Sequence, residues 1–452
     1  NENYIYQNKI SSSEFPIHLN NYDLIPVYEK RRRPIFNNNG IKYRIASGFR
    51  YMDSKSHLSI SFSPKFWYYN VKITGNFDVY IDSDKEIFNN WDNGWDLLQK
   101  INIDYIYNMD YNRLSVKLGS ISKISFGHGY LVNNLSNNFD YPYQRNFGIQ
   151  INYKLDNDFM KFKFIIPSIE DFVINGEGII GMHTSLFTSH RFPLTIGLGF
   201  MIDFNQFSQA DDIYDFTTHS LNNIKREVSA AEFDFNINLV KKLNLDISFY
   251  GEFVGIWYPE YIYYFRSDGL MPFSDDLRWR KGTWGIMAPG ISIVVDNKHE
   301  INFALNFNSA AFYPSYFNSN YLYNRSLYYI TPQAFDFNTM GFNLMGNQIS
   351  MLNDFSINSD NMEFFIPKEL YPIITNKINV FPLHGFTAEY KFNFRDKLEY
   401  YSSIGVYIQK VDPEKMKEEI YYTFDTILSI KQNILKHLSR LDFYISNVFF
   451  LE

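Results

Sequence analysis

The chain predicts an all-β fold: a single transmembrane antiparallel β-barrel of about 16 strands, with 18 as the alternative count. Three observations predict it. Polar and apolar residues alternate without a break in Glu232-Phe233-Asp234-Phe235-Asn236-Ile237-Asn238-Leu239, and the pattern returns in 243–249 and in 301–308. Successive side chains of a strand point to opposite faces, so each segment has one wet face and one apolar face. Aromatic residues make up 19% of the 452, with 36 Tyr and 44 Phe, yet the mean hydropathy is only −0.28. No apolar run approaches the roughly 18 residues that a membrane-crossing helix needs, which excludes helical spans. A barrel reconciles the two facts, because only alternate residues of each strand must be apolar. Finally, short and long connections alternate along the chain, as they do when tight periplasmic turns oppose long external loops.

Taken in order, residues 1–40 read as an irregular extension that ends in Lys30-Arg31-Arg32-Arg33-Pro34 and Asn37-Asn38-Asn39-Gly40. Its basic run is either a contact for anionic headgroups or a solvated charge cluster. Residues 41–452 read as the barrel. Strands are expected at about 42–52, 57–67, 71–82, 98–109, 113–124, 145–155, 159–167, 176–188, 193–204, 227–240, 243–256, 280–296, 299–313, 383–394, 398–410, 418–430 and 437–450. Tight polar turns such as Asp156-Asn157-Asp158 and Asp296-Asn297-Lys298 separate some of these, and long pieces at 125–144, 205–226, 257–279 and above all 314–382 separate others. Strand parity would leave the last strand ending on the outer side, so either one strand is missed or miscounted or the native chain continues beyond Glu452. Trp67-Tyr68-Tyr69, Trp257-Tyr258, Trp279 and Tyr400-Tyr401 fall near strand ends, where amphipathic rings sit at headgroup level.

Charge and composition narrow the class further. A net charge of −7 argues against a nucleic-acid binder. The absence of cysteine fits passage through an oxidising compartment, although many cytosolic proteins also lack it. Asn1 is neither a Met start nor part of a basic and apolar leader, and the expected location is the bacterial outer membrane after removal of a signal peptide. The expected partners are outer-membrane lipids, with lipopolysaccharide or another outer-leaflet lipid, and small solutes.

The most distinctive local sequence is 113–148. A strand beginning Arg113-Leu114-Ser115-Val116-Lys117-Leu118-Gly119 leads to Phe126-Gly127-His128-Gly129-Tyr130, then to Asn133, Asn134 and Asn137, and finally to Arg145-Asn146-Phe147-Gly148. A second distinctive stretch is Gly285-Ile286-Met287-Ala288-Pro289-Gly290, followed by Tyr316-Phe317, Tyr321 and Arg325. Together these resemble a group of largely uncharacterised, porin-like outer-membrane β-barrel proteins of diderm bacteria that carry a "tlGhG.iv..ysN" loop. The resemblance covers most of 57–330 and implies a barrel without implying an activity. In physical terms Gly127 and Gly129 let the chain bend sharply, and the asparagines satisfy loop backbone. Two readings follow for His128, Asn133, Asn134, Asn137 and Arg145: a constriction loop folded into the lumen, or a fold-specific bulge whose side chains only hold backbone.

Candidate lumen-lining residues are the polar rows Glu232, Asp234, Asn236 and Asn238, then Asn244, Asp246, Ser248 and Glu252, then Asn302, Asn306 and Asn308. Lys117, Lys161, Lys163 and Lys391 offset this mildly acidic sector. Catalysis is not expected: His128 with Ser125 or Ser136, and His183 with Ser185, lack a nucleophile-elbow pattern. Neither a cofactor nor a specific metal is expected either, since Asp211, Asp212 and Asp215, or Asp275 and Asp276, match no ion-binding spacing. The expected function is a porin-like channel or uptake protein for small solutes. The alternative is a closed barrel that serves surface attachment or partner assembly, and the discriminator is whether 314–382 folds inward.

Overall fold

In a computed structural model of the protein, the period-two alternation becomes one continuous antiparallel wall. Residues 40–331, 357–367 and 382–451 are described, apart from breaks within those ranges, the longest at 207–226 and 265–277. The expected extension at 1–40 apart from Gly40, which opens the first strand, most of 332–381, and Asp211, Asp212, Asp215, Asp275, Asp276 and Arg145 lie outside the described residues.

The first half of the chain forms β1 (Gly40–Met52), β2 (Lys55–Tyr68), β3 (Val71–Gly75), β4 (Phe77–Ile81), β5 (Ile87–Asn89), α1 (Gly94–Gln99), β6 (Ile101–Asn108), β7 (Arg113–Gly119), β8 (Val132–Asn133), β9 (Gly148–Leu155), β10 (Met160–Ile166), α2 (Ile169–Ile174), β11 (Ile179–Phe187) and β12 (Leu194–Asp203). There follow β13 (Val228–Lys242), β14 (Leu245–Tyr264), β15 (Arg278–Val295), β16 (His299–Asn308), β17 (Phe317–Asn318), α3 (Tyr321–Asn324), β18 (Ser326–Thr331), β19 (Ile357–Asn358), β20 (Asn361–Pro367), β21 (Leu383–Phe394), β22 (Leu398–Asp412), β23 (Lys417–Lys431) and β24 (Arg440–Leu451).

One antiparallel sheet gathers 19 of these strands, and outside β3 to β6 each is hydrogen-bonded to the next sheet strand along the chain. β4 continues β3 along β2, and β5 lies beside β4 as β6 lies beside β3, so the nineteen occupy seventeen places. Each place coincides with one expected span, and the count lies within one of the sixteen foreseen. β1 pairs only with β2 and β24 only with β23, which makes these two the ends of the ladder among the described residues. Small sheets stand apart from the wall: β8 with β17, and β18 with β20 and β19.

The wall is ordered inside-out. Along β16, Asn302 and Asn306 are 6% and 1% exposed, whereas Ile301 and Phe303, which alternate with them, are 46% and 40% exposed. The same inversion holds on β13, where Glu232 and Asp234 are buried and Phe233 is exposed, and on β14, where Glu252 is buried and Phe253 exposed. An ordinary globular core would reverse the assignment.

Two connections that the sequence leaves as strand turn inward instead. β7 stops at Gly119, short of the expected 124, and β16 stops at Asn308, short of 313. From β7 the chain enters the interior as a re-entrant hairpin, with a bridge between Ile124 and Leu135 and a bond from Phe126 N to Val132 O of 3.0 Å. After β16, Phe312, Tyr313, Tyr316, Phe317, Tyr321 and Leu322 pack against this hairpin, and β17 joins β8 in parallel. Their dry core is completed by Ile165, Ile179, Met201, Val228, Val254, Ile256 and Met287 of the wall. All the strand ends involved lead into long connections, so the core lies at the long-loop end of the wall.

Asn137 holds the base of the hairpin. Its Nδ2 donates to the carbonyls of Gly119 (3.1 Å), Asn146 (2.8 Å) and Pro167 (2.8 Å), while its Oδ1 accepts from Ile121 N at 2.6 Å. Asn137→Ala strands this buried backbone at a cost of about 1–3 kcal/mol. Denaturant unfolding of the detergent-folded chain is expected to show that loss, with unchanged strand content by circular dichroism.

Candidate functional site

Beneath the dry core lies a polar layer that the hairpin tip touches. The tip needs a left-handed backbone at Gly127 (φ 47°) and Gly129 (φ 88°), which only glycine adopts freely, and it thereby points the N–H groups of His128, Tyr130 and Leu131 at the wall. Glu252 of β14 receives them: its Oε2 accepts from His128 N at 2.7 Å, and its Oε1 from Tyr130 N at 3.0 Å and Leu131 N at 3.1 Å. A carboxylate that accepts several backbone N–H groups forms charge-assisted bonds, stronger than neutral ones. Lys163 of β10 grips the other side of the tip, donating from Nζ to Ser125 O at 2.8 Å. The Tyr130 hydroxyl bonds to the Asn308 side chain on β16. The tip is therefore tied to three strands of the wall, β10, β14 and β16.

The second inserted segment is tied down as firmly. Ser315 N donates to Tyr130 O (2.6 Å), Ser315 Oγ to Gly129 O (2.8 Å) and Phe317 N to Leu131 O (3.1 Å). Beyond α3, the guanidinium of Arg325 is 1% exposed; its Nη2 lies 2.8 Å from Asp171 Oδ2 of α2 and its Nη1 3.8 Å from Asp203 Oδ1 of β12. Tyr321 adds a bond to Asp203 Oδ2 at 2.9 Å.

Of the sequence-predicted lumen residues, Glu232, Asp234, Glu252, Asn302, Asn306 and Asn308 are buried on the inner face, and Asn236, Asn238, Asp246 and Ser248 are partly covered in the same rows. Asn244 differs. It lies exposed in the turn between β13 and β14, one residue before β14 begins at Leu245. Further round the wall, register places Lys117, Lys154, Lys161 and Lys163 in one inward row, beside Asp104, Asn152 and His183. Towards the tight turns, Glu300, Asn302, Glu389 and Lys391 form a second buried cluster, with Asn302 Nδ2 2.8 Å from Glu300 Oε1 and Lys391 Nζ 3.6 Å from the same oxygen.

The loop residues divide by role. Asn137 and Ser125 serve backbone: the Ser125 hydroxyl accepts from Asn134 N at 2.9 Å and lies 3.4 Å from Asn133 Oδ1. Ser125 is thus committed to the loop rather than to His128. The His128 ring stacks near Tyr250 at 4.4 Å and its Nε2 donates to Phe235 O at 3.2 Å.

Sequence reasoning missed a cluster that only the wall assembles. His183 of β11 meets Glu232 and Asp234 of β13, all three buried, with one ligand atom of each within 4.8 Å of the others. Its signal was Gly197-Leu198-Gly199 on the intervening strand β12, where Gly199 faces Glu232 and Gly197 faces Asp234.

Comparison with known proteins finds no family model that matches and no match among curated proteins. Among solved structures, OccK8 (OprE) of Pseudomonas aeruginosa aligns at 8% identity over 91% of this chain and 92% of that one, with a TM-score of 0.40. OccK3 (OpdO) of the same organism aligns at 9% over 91% and 89%, at 0.38. Wzi of Escherichia coli, an outer membrane protein involved in group 1 capsule assembly and a carbohydrate-binding β-barrel, aligns at 9% over 91% and 80%, at 0.36.

His128 makes stability depend on pH. Burial is the main cause that lowers its pKa below the ordinary imidazole value, against the opposing pull of Asp234 and the bond to Phe235 O. The folded chain therefore takes up the ring proton at lower pH than the unfolded chain, which does so at about pH 6.5. The contribution is therefore complete above that pH and is lost as pH falls through it, by up to about 1.4 kcal/mol per unit. His128→Gln is expected to flatten that part of the profile, measured as the difference in denaturation midpoint between the two proteins from pH 8 to pH 5.

Proposed function

We propose that the protein is an integral outer-membrane β-barrel that takes up small solutes through a lumen narrowed by two inward-folded segments, 120–137 and 309–325. The inside-out order of the wall is the observation that carries the membrane half of this reading. Exposed Ile301, Phe303 and Phe307 alternate with buried Asn302, Asn306 and Asn308, an arrangement suited to lipid outside and polar contents inside. Outer-membrane lipid, including lipopolysaccharide, is the partner such a surface fits. Among the described residues no helix is long and apolar enough to cross a membrane. The channel half is supported by the interior rows of both signs, Lys117 to Lys163 on one sector and Glu232 to Glu389 on another, which a sealed apolar core would not need.

A second reading has its own observation. The aromatic core around Phe312, Tyr316, Phe317 and Tyr321 is dry and bolted by Arg325, as a barrel closed at its long-loop mouth would require. In that reading the barrel serves attachment or partner assembly at the surface.

Two measurements test these statements. Phe303→Lys places a charge on the outward face and is expected to cost about 2–4 kcal/mol in a bilayer if the site lies near mid-depth, and much less if the protein never meets lipid; unfolding from vesicles reads the difference. In planar bilayers the wild-type chain is expected to give small conductance steps, and Arg325→Ala larger or more frequent ones, because breaking a buried ion pair costs about 3–5 kcal/mol and frees the second segment. Silence of both proteins in well-inserted samples would sink the channel reading and leave the closed barrel.

A further inference from the structure

Three carboxylates meet under the hairpin tip, and the loop uses only one. Glu252 is filled by the N–H groups of His128, Tyr130 and Leu131. Among the described residues no N–H or hydroxyl group donates to either oxygen of Glu232, which is 2% exposed, and its carboxyl lies against that of Glu252. Asp234 Oδ2 lies 2.8 Å from His183 Nε2, and Glu232 Oε1 lies 3.6 Å from the same nitrogen. That nitrogen faces opposite demands, since Gly127 N–H approaches it as a donor at 3.3 Å while the carboxylates can only accept. One imidazole proton cannot serve both sides. Lys163, the neighbouring cation, already spends a donor on Ser125 O.

We propose that His183, Glu232 and Asp234 bind one divalent first-row transition-metal ion of the Zn²⁺ class inside the barrel. One imidazole nitrogen with two carboxylate oxygens suits such an ion, and the nitrogen disfavours calcium and magnesium, which take oxygen ligands. Bonds of about 2.0–2.2 Å place two ligand atoms of one ion about 3–3.5 Å apart, the scale of the separations found here. Space for the cluster is built in. A Cβ at Gly199 would stand 2.5 Å from Glu232 Oε1, and one at Gly197 would collide with the Asp234 carboxylate. Gly127 closes the layer from above, its own hypothetical Cβ 3.0 Å from Glu252 Oε2 and 3.1 Å from Asp234 Cβ. Three protein ligands leave a further coordination position open, as they do in sites that keep a water. The ion would offset two buried negative charges that otherwise share one imidazole.

The test uses untagged full-length chain, refolded in detergent after chelator treatment and titrated with ZnCl₂ and, separately, CoCl₂ at pH 7.5. One equivalent of Zn²⁺ is expected to bind, with Co²⁺ giving a visible absorption band that Zn²⁺ displaces. Glu232→Gln and Asp234→Asn keep side-chain shape and are each expected to weaken binding by about 100-fold or more, with strand content checked by circular dichroism. Should either variant misfold, X-ray absorption at the zinc edge of the wild-type complex still reads one imidazole nitrogen with oxygen neighbours. Folded wild-type chain that takes up no stoichiometric ion overturns the proposal and leaves neutralisation to Lys163 and a shared proton. Glu232→Gln binding as tightly as wild type overturns it too, since the ion would then sit elsewhere. These readouts do not involve conductance, so they stand or fall separately from the channel reading.

Discussion

The architecture depends on one constraint: a wall whose apolar side chains face outward must satisfy every polar group that it sends inward. Within the ladder the backbone takes care of itself, each strand bonded to its neighbours. The side chains do not, and the alternation that exposes Phe233 and Phe253 commits Glu232, Asp234 and Glu252 to the interior. Burying such groups without partners costs several kcal/mol each. Inserted backbone is one solution, because a loop in the lumen has its own unpaired N–H groups to place. Glu252 and the hairpin tip each supply what the other lacks, and irregular backbone is tolerated at this depth because protein surrounds it.

The same logic orders the interior into layers. At the long-loop end of the wall the two inserted segments bury Tyr130, Phe312, Tyr316 and Phe317 against one another, so the driving term there is removal of apolar area from water. Below them, in the layer of His183, Asp234 and Glu252, hydrogen bonds to carboxylate oxygens take over. Arg325 links the second segment to both α2 and β12 through buried carboxylates, and a buried pair of this kind fixes position more than it adds net stability. The plug is thus held by directional contacts at its edges and by area at its centre.

Much of the wall was legible in the sequence, since a strand reports its face through a period of two and its ends through turn residues. Each of the seventeen places in the ladder falls on an expected span. The errors sit where alternation continues but pairing does not: 120–124 and 309–313 read as strand continuations, yet Gly119 and Asn308 end the ladder and the chain turns inward. The short helices α1, α2 and α3 escaped because four to six residues carry no readable helical period. Asn244 was placed on a strand face by counting back in twos from Asp246, but β14 begins at Leu245 and the count ran one residue past its end. Loop residues Asn133, Asn134 and Asn137 were assigned to backbone work for a chemical reason, and Asn137 does that work at four backbone atoms.

What the sequence hid is the cluster of His183 with Glu232 and Asp234, and the reason is geometric. Neighbouring strands lie about 4.8 Å apart, so residues on β11 and β13 face each other across nearly 10 Å of wall. A side chain on the strand between them would ordinarily fill that gap. Here β12 contributes Gly197 and Gly199 at the two register positions in question, and their missing side chains let a histidine from one flank and two carboxylates from the other lean into the same space. Either strand read alone shows only a polar residue on a wet face. The readable signature is therefore a property of three adjacent strands: a glycine pair spaced by one residue, an acidic pair with the same spacing on one side, and an imidazole on the other. Each spacing is two because both members must share a face, so a substitution that gives Gly199 a side chain should act on Glu232 before it acts on the strand itself.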